Sequence, residues 1–373
     1  MSRAPPAVAL FQVACQLRIF SMDQILRADG AVFSESYLGL VPGNYGSVDD
    51  EYRSLREGVG VCYVGEGGYV EITGSQRGDF LNRLATNKLD QVAVGSGKEA
   101  FMADAVGRII EHILVFSEAD RYIVRAGCGR GQHLFSHLDY YLIREDVRLA
   151  DRSSQWQDMI VAGIEAEELL AEVATTAIPK TRLDHITIPW WGKSIAIRRL
   201  TDKHFPAFLL TGEADVLPDL WQTLRNAGAD ACGLAACDAM RIEEGWPQFG
   251  LDITEKTLPQ EVGRNEQAIS FDKGCYIGQE TVAKIDSRDG VRKLLCGVVI
   301  ESTIVPSPAA ELIHAGQVVG QVTSARWSPG QQAVVALAYL LRDYTSPGTE
   351  VMSPVGAAKV VPLPMVFRGA MTI

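Results

Sequence analysis

The sequence predicts an α+β fold in three parts. Residues 69–149 run strand, helix, hairpin, strand, helix, strand, a ferredoxin-like order. A similar strand and helix mixture follows from about 155 to 232, and then helical periodicity disappears. After residue 290, short β-rich runs are separated by Pro- and Gly-bearing turns, which predicts a C-terminal barrel or sandwich of roughly 80 residues.

The elements follow in order. Leu55, Val59 and Val61 stand among charges and give a short helix running into a strand. Gly65–Glu–Gly67–Gly68 has no following helix or lysine and reads as a hairpin turn. Tyr69–Val–Glu–Ile–Thr73 alternates as a strand does, and Thr73–Gly–Ser75 offers a cap for a helix burying Phe80, Leu81 and Leu84. Phe101–Ala103 and Arg108–Phe116 form a hairpin around Asp104–Gly107. Arg121–Val124 is a strand, Leu134 to Leu142 an amphipathic helix, and Asp146–Leu149 a returning strand. In the second unit, Ile195–Ile197 and Phe208–Leu210 are strands. Asp215–Ala227 is a helix closed by Gly228, and Ala235–Glu244 a helix stopped by Gly245 with Pro247 beyond it. Leu294–Ile300, Val318–Thr323, Ala333–Leu340 and Lys359–Val361 are the barrel runs.

With 373 residues, two or three domains are expected. A net charge of −11 without any Lys/Arg-rich run argues against a nucleic-acid partner, and no apolar run is long enough to span a membrane. Seven scattered cysteines without a CxxC argue against a disulfide framework and for a reducing compartment. Cys232 and Cys237 read as core residues flanking a helix rather than metal ligands. Residues 1–21 read as an extension, with the structured chain beginning near Met22.

Three places could carry chemistry. Two glycines bracket a Cys–Tyr pair in Lys273–Gly–Cys275–Tyr276–Ile–Gly278–Gln279–Glu280. Either Lys273 turns its ammonium towards Cys275 and favours the thiolate, or the stretch is a turn into a strand with an inert, buried cysteine. Arg241 sits mid-helix: it either recognises a carboxylate with its planar fork or forms a surface pair with Glu244. Glu111 and His112 interrupt an apolar strand, and either mark a pocket wall or belong to an edge strand with one wet face. Being adjacent, they point to opposite faces, so only one can face a given pocket. Walker, GxGxxG, zincin and GxSxG patterns are absent, and the six histidines show no ligand spacing.

The run 273–280 closely resembles the signature of YgfZ-type proteins, within the superfamily of the glycine-cleavage T-protein, an aminomethyltransferase. The resemblance extends through Arg56–Gly60, Val70–Gly74, Phe80–Asn87, Gly233–Gly245, Gly250–Ile253, Gly320–Ser324 and Ala336–Ala338. It implies a three-lobed cloverleaf, with residues 1–50 as extension and start of the folate-binding region, 51–290 as two intertwined α+β units, and 291–373 as a β-barrel. It implies tetrahydrofolate, or a one-carbon derivative, as ligand. Arg241, His112, Tyr276 and Gln279 are expected at the folate, and Cys275, Lys273 and Glu111 at the chemistry. The main functional expectation is assistance to iron–sulfur cluster assembly or repair, with iron–sulfur client enzymes as partners in the cytoplasm or a mitochondrial matrix. The alternative is a folate-dependent aminomethyltransferase or demethylase. The T-protein's Asp–Asp pair is replaced here by Glu111–His112, and no carboxylate stands near Ala207 or Phe208, where its folate-site glutamate is expected.

Overall fold

The computed structural model describes residues 21–201, 205–287 and 290–365. The expectation for the first 21 residues falls outside these, apart from Ser21. Helix α1 (Met22–Ala28) is opened by a capping box between Ser21 and Gln24. A hairpin follows, β1 (Val32–Ser36) and β2 (Gly39–Asn44), then α2 (Val48–Glu57), capped by Ser47.

Strands β3 (Gly60–Glu66) and β4 (Gly68–Thr73) are consecutive but do not pair. The glycine-rich step between them is a crossover between sheets, not the expected hairpin turn. Each strand has both of its ladders satisfied elsewhere: β3 pairs with β9 and β13, and β4 pairs with β7 and β8.

The first sheet has the order β5–β6–β7–β4–β8, from β4, β5 (Gly97–Ala103), β6 (Ile109–Ser117), β7 (Arg121–Ala126) and β8 (Arg148–Asp151). Helices α3 (Arg77–Asn82) and α4 (Gly131–Tyr141) cover the face formed by Val70, Ile72, Ile113 and Val115. The element order is the expected one. Ser75, however, does not cap α3: its amide and hydroxyl both donate to Asp146, at 3.0 and 2.7 Å, and the helix starts after Gln76 without a side-chain cap.

The second sheet has the order β10–β11–β12–β9–β3–β13. Its strands are β3, β9 (Trp156–Ala162), β10 (His185–Trp190), β11 (Lys193–Arg199), β12 (Ala207–Glu213) and β13 (Asp230–Ala231). Helices α5 (Ala166–Ala174) and α6 (Leu217–Asn226) pack on it through Leu170, Leu220 and Trp221. Because β3 precedes the first sheet in sequence and lies in the second, the two units are interwoven.

Helix α7 (Leu234–Glu243) packs against α2, β2, β3 of the second sheet and the barrel strands β16 and β17. It is buried on nearly all sides, including Asp238 and Glu243. It starts at Gly233, where a side-chain carbon would sit 2.4 Å from the Gly43 carbonyl, so only glycine lets β2 cross this close. Short α8 (Asn265–Ala268) and α9 (Gln279–Ser287) lead to a closed barrel. Its strands are β14 (Lys293–Ile300), β15 (Glu311–His314), β16 (Gln317–Ser328), β17 (Ala333–Leu341), β18 (Glu350–Ser353) and β19 (Gly356–Val361), closing in the order β14–β17–β16–β15–β18–β19. The run 273–280 leads into α9, not into a strand. No described helix is long and apolar enough to cross a membrane.

Candidate functional site

The α7 helix organises the centre through charge. Arg241 is largely buried and points inward, not towards Glu244, which Arg56 takes at 3.0 Å. The Arg241 Nε donates to Asp238 Oδ1 at 2.8 Å, and its Nη1 donates to Asp252 Oδ2 and to the Trp246 carbonyl, both at 2.8 Å. Tyr37, at the tip of the β1–β2 hairpin, donates its hydroxyl to Asp238 Oδ1 at 2.8 Å. Arg326 of the barrel reaches Asp238 Oδ2 at 2.9 Å. Burial pushes the Asp238 carboxyl up, but the Arg241 and Arg326 guanidiniums outweigh it and hold the group below its ordinary value.

A cavity of about 110 Å³ opens beside this network, lined by Tyr37, Leu114, Leu209, Asp238, Arg241 and Trp246 among others. The Arg241 Nη2 is buried without a hydrogen-bond partner. A carboxylate offers about four lone-pair sites, so Asp238, with three donors on it, keeps one. One acceptor site and one donor therefore stand together on a mostly apolar wall. The β12 side of the cavity is Ala207 and Leu209, while Phe208 turns into the second sheet's core. With no carboxylate at Ala207 or Phe208, Asp238, from α7, is the buried acid here.

Behind Trp246 stands a second network. Glu99, fully buried, accepts from both Arg264 and Arg182 and lies 2.8 Å from His112 Nε2. Burial raises the Glu99 carboxyl, but Arg264 and His112 bring it well below its ordinary value. His112 therefore donates to an ionised carboxylate, with its ring 5.1 Å from that of Phe101. His112, expected at the folate, pairs with Glu99 and does not line the cavity beside Arg241.

Glu111 and His112 do point to opposite faces. Glu111 turns towards the start of α4, where Arg130 Nε donates to its Oε2 at 2.8 Å and His133 lies 3.8 Å away. Its Oε1 is buried and unpartnered. Burial raises its pKa to about 7 against the pull of Arg130. Glu111 does not line the central cavity; Gln248, which does, lies against Gly127 beside it.

The 273–280 run is set apart from this centre. Lys273 gives its ammonium to the carbonyls of Asn82, Ala85 and Asn87 at 2.6–2.7 Å, tying the loop to the end of α3. It does not turn towards Cys275. Burial lowers its pKa to about 8. Cys275 is exposed rather than buried, and lines none of the cavities described. Tyr276 packs its ring 5.1 Å from the Lys273 Nζ, and Gln279 caps the Tyr276 amide at 3.4 Å. Gly278, at φ +83°, rests against the Asp104 carbonyl, where a side chain would be 2.6 Å away. Of the seven expected residues, only Arg241 lines the central cavity. Sequence reasoning missed Tyr37, Asp238 and Trp246. Asp238 and Trp246 had a signal: they flank Arg241 in the same helix and its stop. Among the described residues no group of three or more His, Cys, Asp or Glu is placed to hold a metal ion.

Residues 22–273 match the GCVT N-terminal domain, and residues 292–367 the glycine cleavage T-protein C-terminal barrel domain. The aminomethyltransferase of Symbiobacterium thermophilum is 29% identical over 325 residues, covering 83% of this chain and 86% of that protein. That of Streptomyces coelicolor is 26% identical, covering 90% and 92%. The crystal structure of glycine cleavage system aminomethyltransferase T from Bartonella henselae has the same fold, with a TM-score of 0.84 at 20% identity over 94% of this chain and 98% of that one.

Proposed function

Because the chain belongs to the glycine cleavage T-protein family, we propose that it is a tetrahydrofolate-dependent one-carbon transferase of the aminomethyltransferase kind. The observation that carries the reading is the unpartnered Arg241 Nη2 beside the one open site on Asp238, in an apolar cavity with Tyr37 and Trp246 in its wall. A reduced pterin has a flat apolar body and an edge of alternating donors and acceptors. Asp238 and Arg241 would hold that edge. The small volume suits the ring end of such a ligand and not the whole, since sites for drug-sized ligands span about 300–1,000 Å³.

Bound folate supplies the nitrogen that carries the one-carbon unit. The chain's own part is binding and orientation. Leu114, Leu209 and Trp246 give the cavity its apolar wall. Glu111 lies outside this cavity, paired with Arg130 at the start of α4.

The iron–sulfur role was the first expectation from the sequence. The curated relatives carry the name aminomethyltransferase, which favours the transferase. What supports the iron–sulfur reading is that Cys275 is exposed, so that a partner can reach it. A single thiol there is too few to hold a cluster alone.

The test is transfer of label. The protein is incubated with tetrahydrofolate and a panel of aminomethyl, methylamine and sulfonium donors labelled in the one-carbon unit. Label is expected in the folate with at least one donor. Tetrahydrofolate binding without label movement from any donor would sink the transferase reading.

A further inference from the structure

The open site on Asp238 can be assigned to one of its two oxygens. Oδ1 accepts from the Tyr37 hydroxyl and from Arg241 Nε, which fills both of its lone-pair sites. Among the described residues Oδ2 meets only Arg326 Nη2, in an ion pair at 2.9 Å. The open site is therefore on Oδ2, the oxygen that Arg326 faces. Arg326 comes from β16, whose register shifts between Val322 and Ser324. Past that bulge, Ser324 and Arg326 are two residues apart and share one face of the strand. Ser324 meets Asp252 and Arg326 meets Asp238, the two acids on either side of Arg241. The Arg326 side chain is 38% exposed and that of Asp238 only 2%. Arg326 does not line the cavity, so it stands behind the acid and not beside a ligand.

We infer that Arg326 is a positioning residue: its guanidinium holds Asp238 ionised, with Oδ2 open to accept from a donor on the ligand. Its role at the ligand rests on the reading that a reduced folate enters this cavity. An ionised carboxylate accepts, whereas a protonated one turns an O–H towards the ligand's N–H and opposes it. The groups facing Asp238 are Tyr37 of the β1–β2 hairpin, Cys237 and Arg241 of α7, and Arg326 of β16. Arg125 and Glu244 stand in the cavity wall, and Asp252 lies beyond Arg241. Tyr37 and Cys237 stay neutral, because burial raises both. Arg241 divides its charge between Asp238 and Asp252. Among the described residues Arg326 pairs with no acid but Asp238, so its charge acts there undivided.

The test is calorimetric titration of the full chain with tetrahydrofolate at about pH 8 and about pH 5.5, in parent, Arg326→Gln and Arg326→Lys. Arg326→Gln is expected to bind within about three-fold of parent at the higher pH and at least about ten-fold more weakly at the lower, ten-fold being the effect of one pH unit on a titrating group. Arg326→Lys keeps the charge and is expected to restore the parent's ratio. A role in packing alone would weaken binding equally at both pH values, and that result would overturn the inference. Urea unfolding over the same range, with and without Asp238→Asn, reads the pair without a ligand. The folded Asp238 carboxyl lies below its ordinary value, so its contribution to stability is present above that value and lost as pH falls through the folded one. Arg326→Gln is expected to move this loss to higher pH, and the move is expected to vanish in the Asp238→Asn background. Its persistence in that background would also overturn the inference. If Asp238→Asn does not fold, Arg326→Lys decides, since it restores the parent profile only where charge is what acts. If the parent binds no tetrahydrofolate, the folate reading falls, and the unfolding cycle still decides whether Arg326 holds Asp238 ionised.

Discussion

Arg241 and Asp252 tie helix α7 to the barrel. Arg241 Nη1 donates to Asp252 Oδ2 at 2.8 Å, while Asp252 Oδ1 accepts from Thr323 and Ser324 of the barrel at 2.5 and 2.7 Å. The arginine is thus a cavity residue and a structural tie at once. Arg241→Ala would leave Asp238 and Asp252 as buried carboxylates with fewer partners. It is expected to cost about 3–5 kcal/mol of stability in urea unfolding, the usual size for breaking a buried pair. A stability unchanged within 1 kcal/mol of parent, roughly one ordinary hydrogen bond, would refute the tie. For this reason Arg241→Ala is a poor probe of ligand binding, and Tyr37→Phe a better one.

Glu111 makes stability depend on pH in a defined direction. Its folded pKa, about 7, lies above the ordinary 4.5. The folded protein therefore holds a proton that the unfolded chain releases. The stabilisation is full below the ordinary value and is lost as pH rises through about 7. The facing groups are Arg130 and His133 of the α4 start and Glu255, which reaches Arg130 at 3.5 Å. Glu111→Gln is expected to flatten the decline in melting temperature between pH 5 and about 7. An identical pH profile for parent and variant would show that Glu111 titrates normally.

Lys273 is expected to be structural. Lys273→Met leaves three carbonyls without their donor and is expected to destabilise by about 3 kcal/mol, with melting of the loop before α9. Tetrahydrofolate affinity measured well below the melting temperature is expected to stay within about two-fold of parent. A large loss of affinity in a folded variant would move Lys273 into the site.

Cys275 is expected to react with a thiol reagent, while Cys62, Cys232 and Cys237 stay inert in the folded protein. Burial raises the thiol pKa of Cys232 and Cys237, and Cys62 is buried beside them. Comparing parent with Cys275→Ala isolates the residue: one fast-reacting thiol is expected to disappear. The same variant is expected to keep its one-carbon transfer. Loss of transfer with the fold intact would return the chemistry to the 273–280 run.

The elements were legible wherever one face was buried. The 101–116 hairpin, the 134–142 helix and the barrel runs followed from apolar spacing, because burial on one face imposes a period. The glycine-rich step at 65–68 was not legible. Adjacent strands usually pair, and nothing local says that β3 joins a sheet built mostly from residues 156–213. The site was legible in one residue, Arg241. Glu99 and Asp238 escaped because a buried carboxylate is recognised by partners far away in sequence, such as Arg264 and Arg326. The 273–280 run drew attention through its unusual composition, but its lysine and glycines serve a tight docking against α3 and the Asp104 turn.

The central claim is that a reduced folate occupies the cavity beside Arg241 and Trp246. It is tested most directly by titrating the protein with tetrahydrofolate while following tryptophan fluorescence, in parent and in Trp246→Phe. Trp246 is the only one of the six tryptophans that lines this cavity. The account predicts saturable quenching in the parent, most of it lost in Trp246→Phe, with calorimetry still detecting binding. Absence of saturable binding by the folded parent, or quenching unchanged in Trp246→Phe, would contradict it.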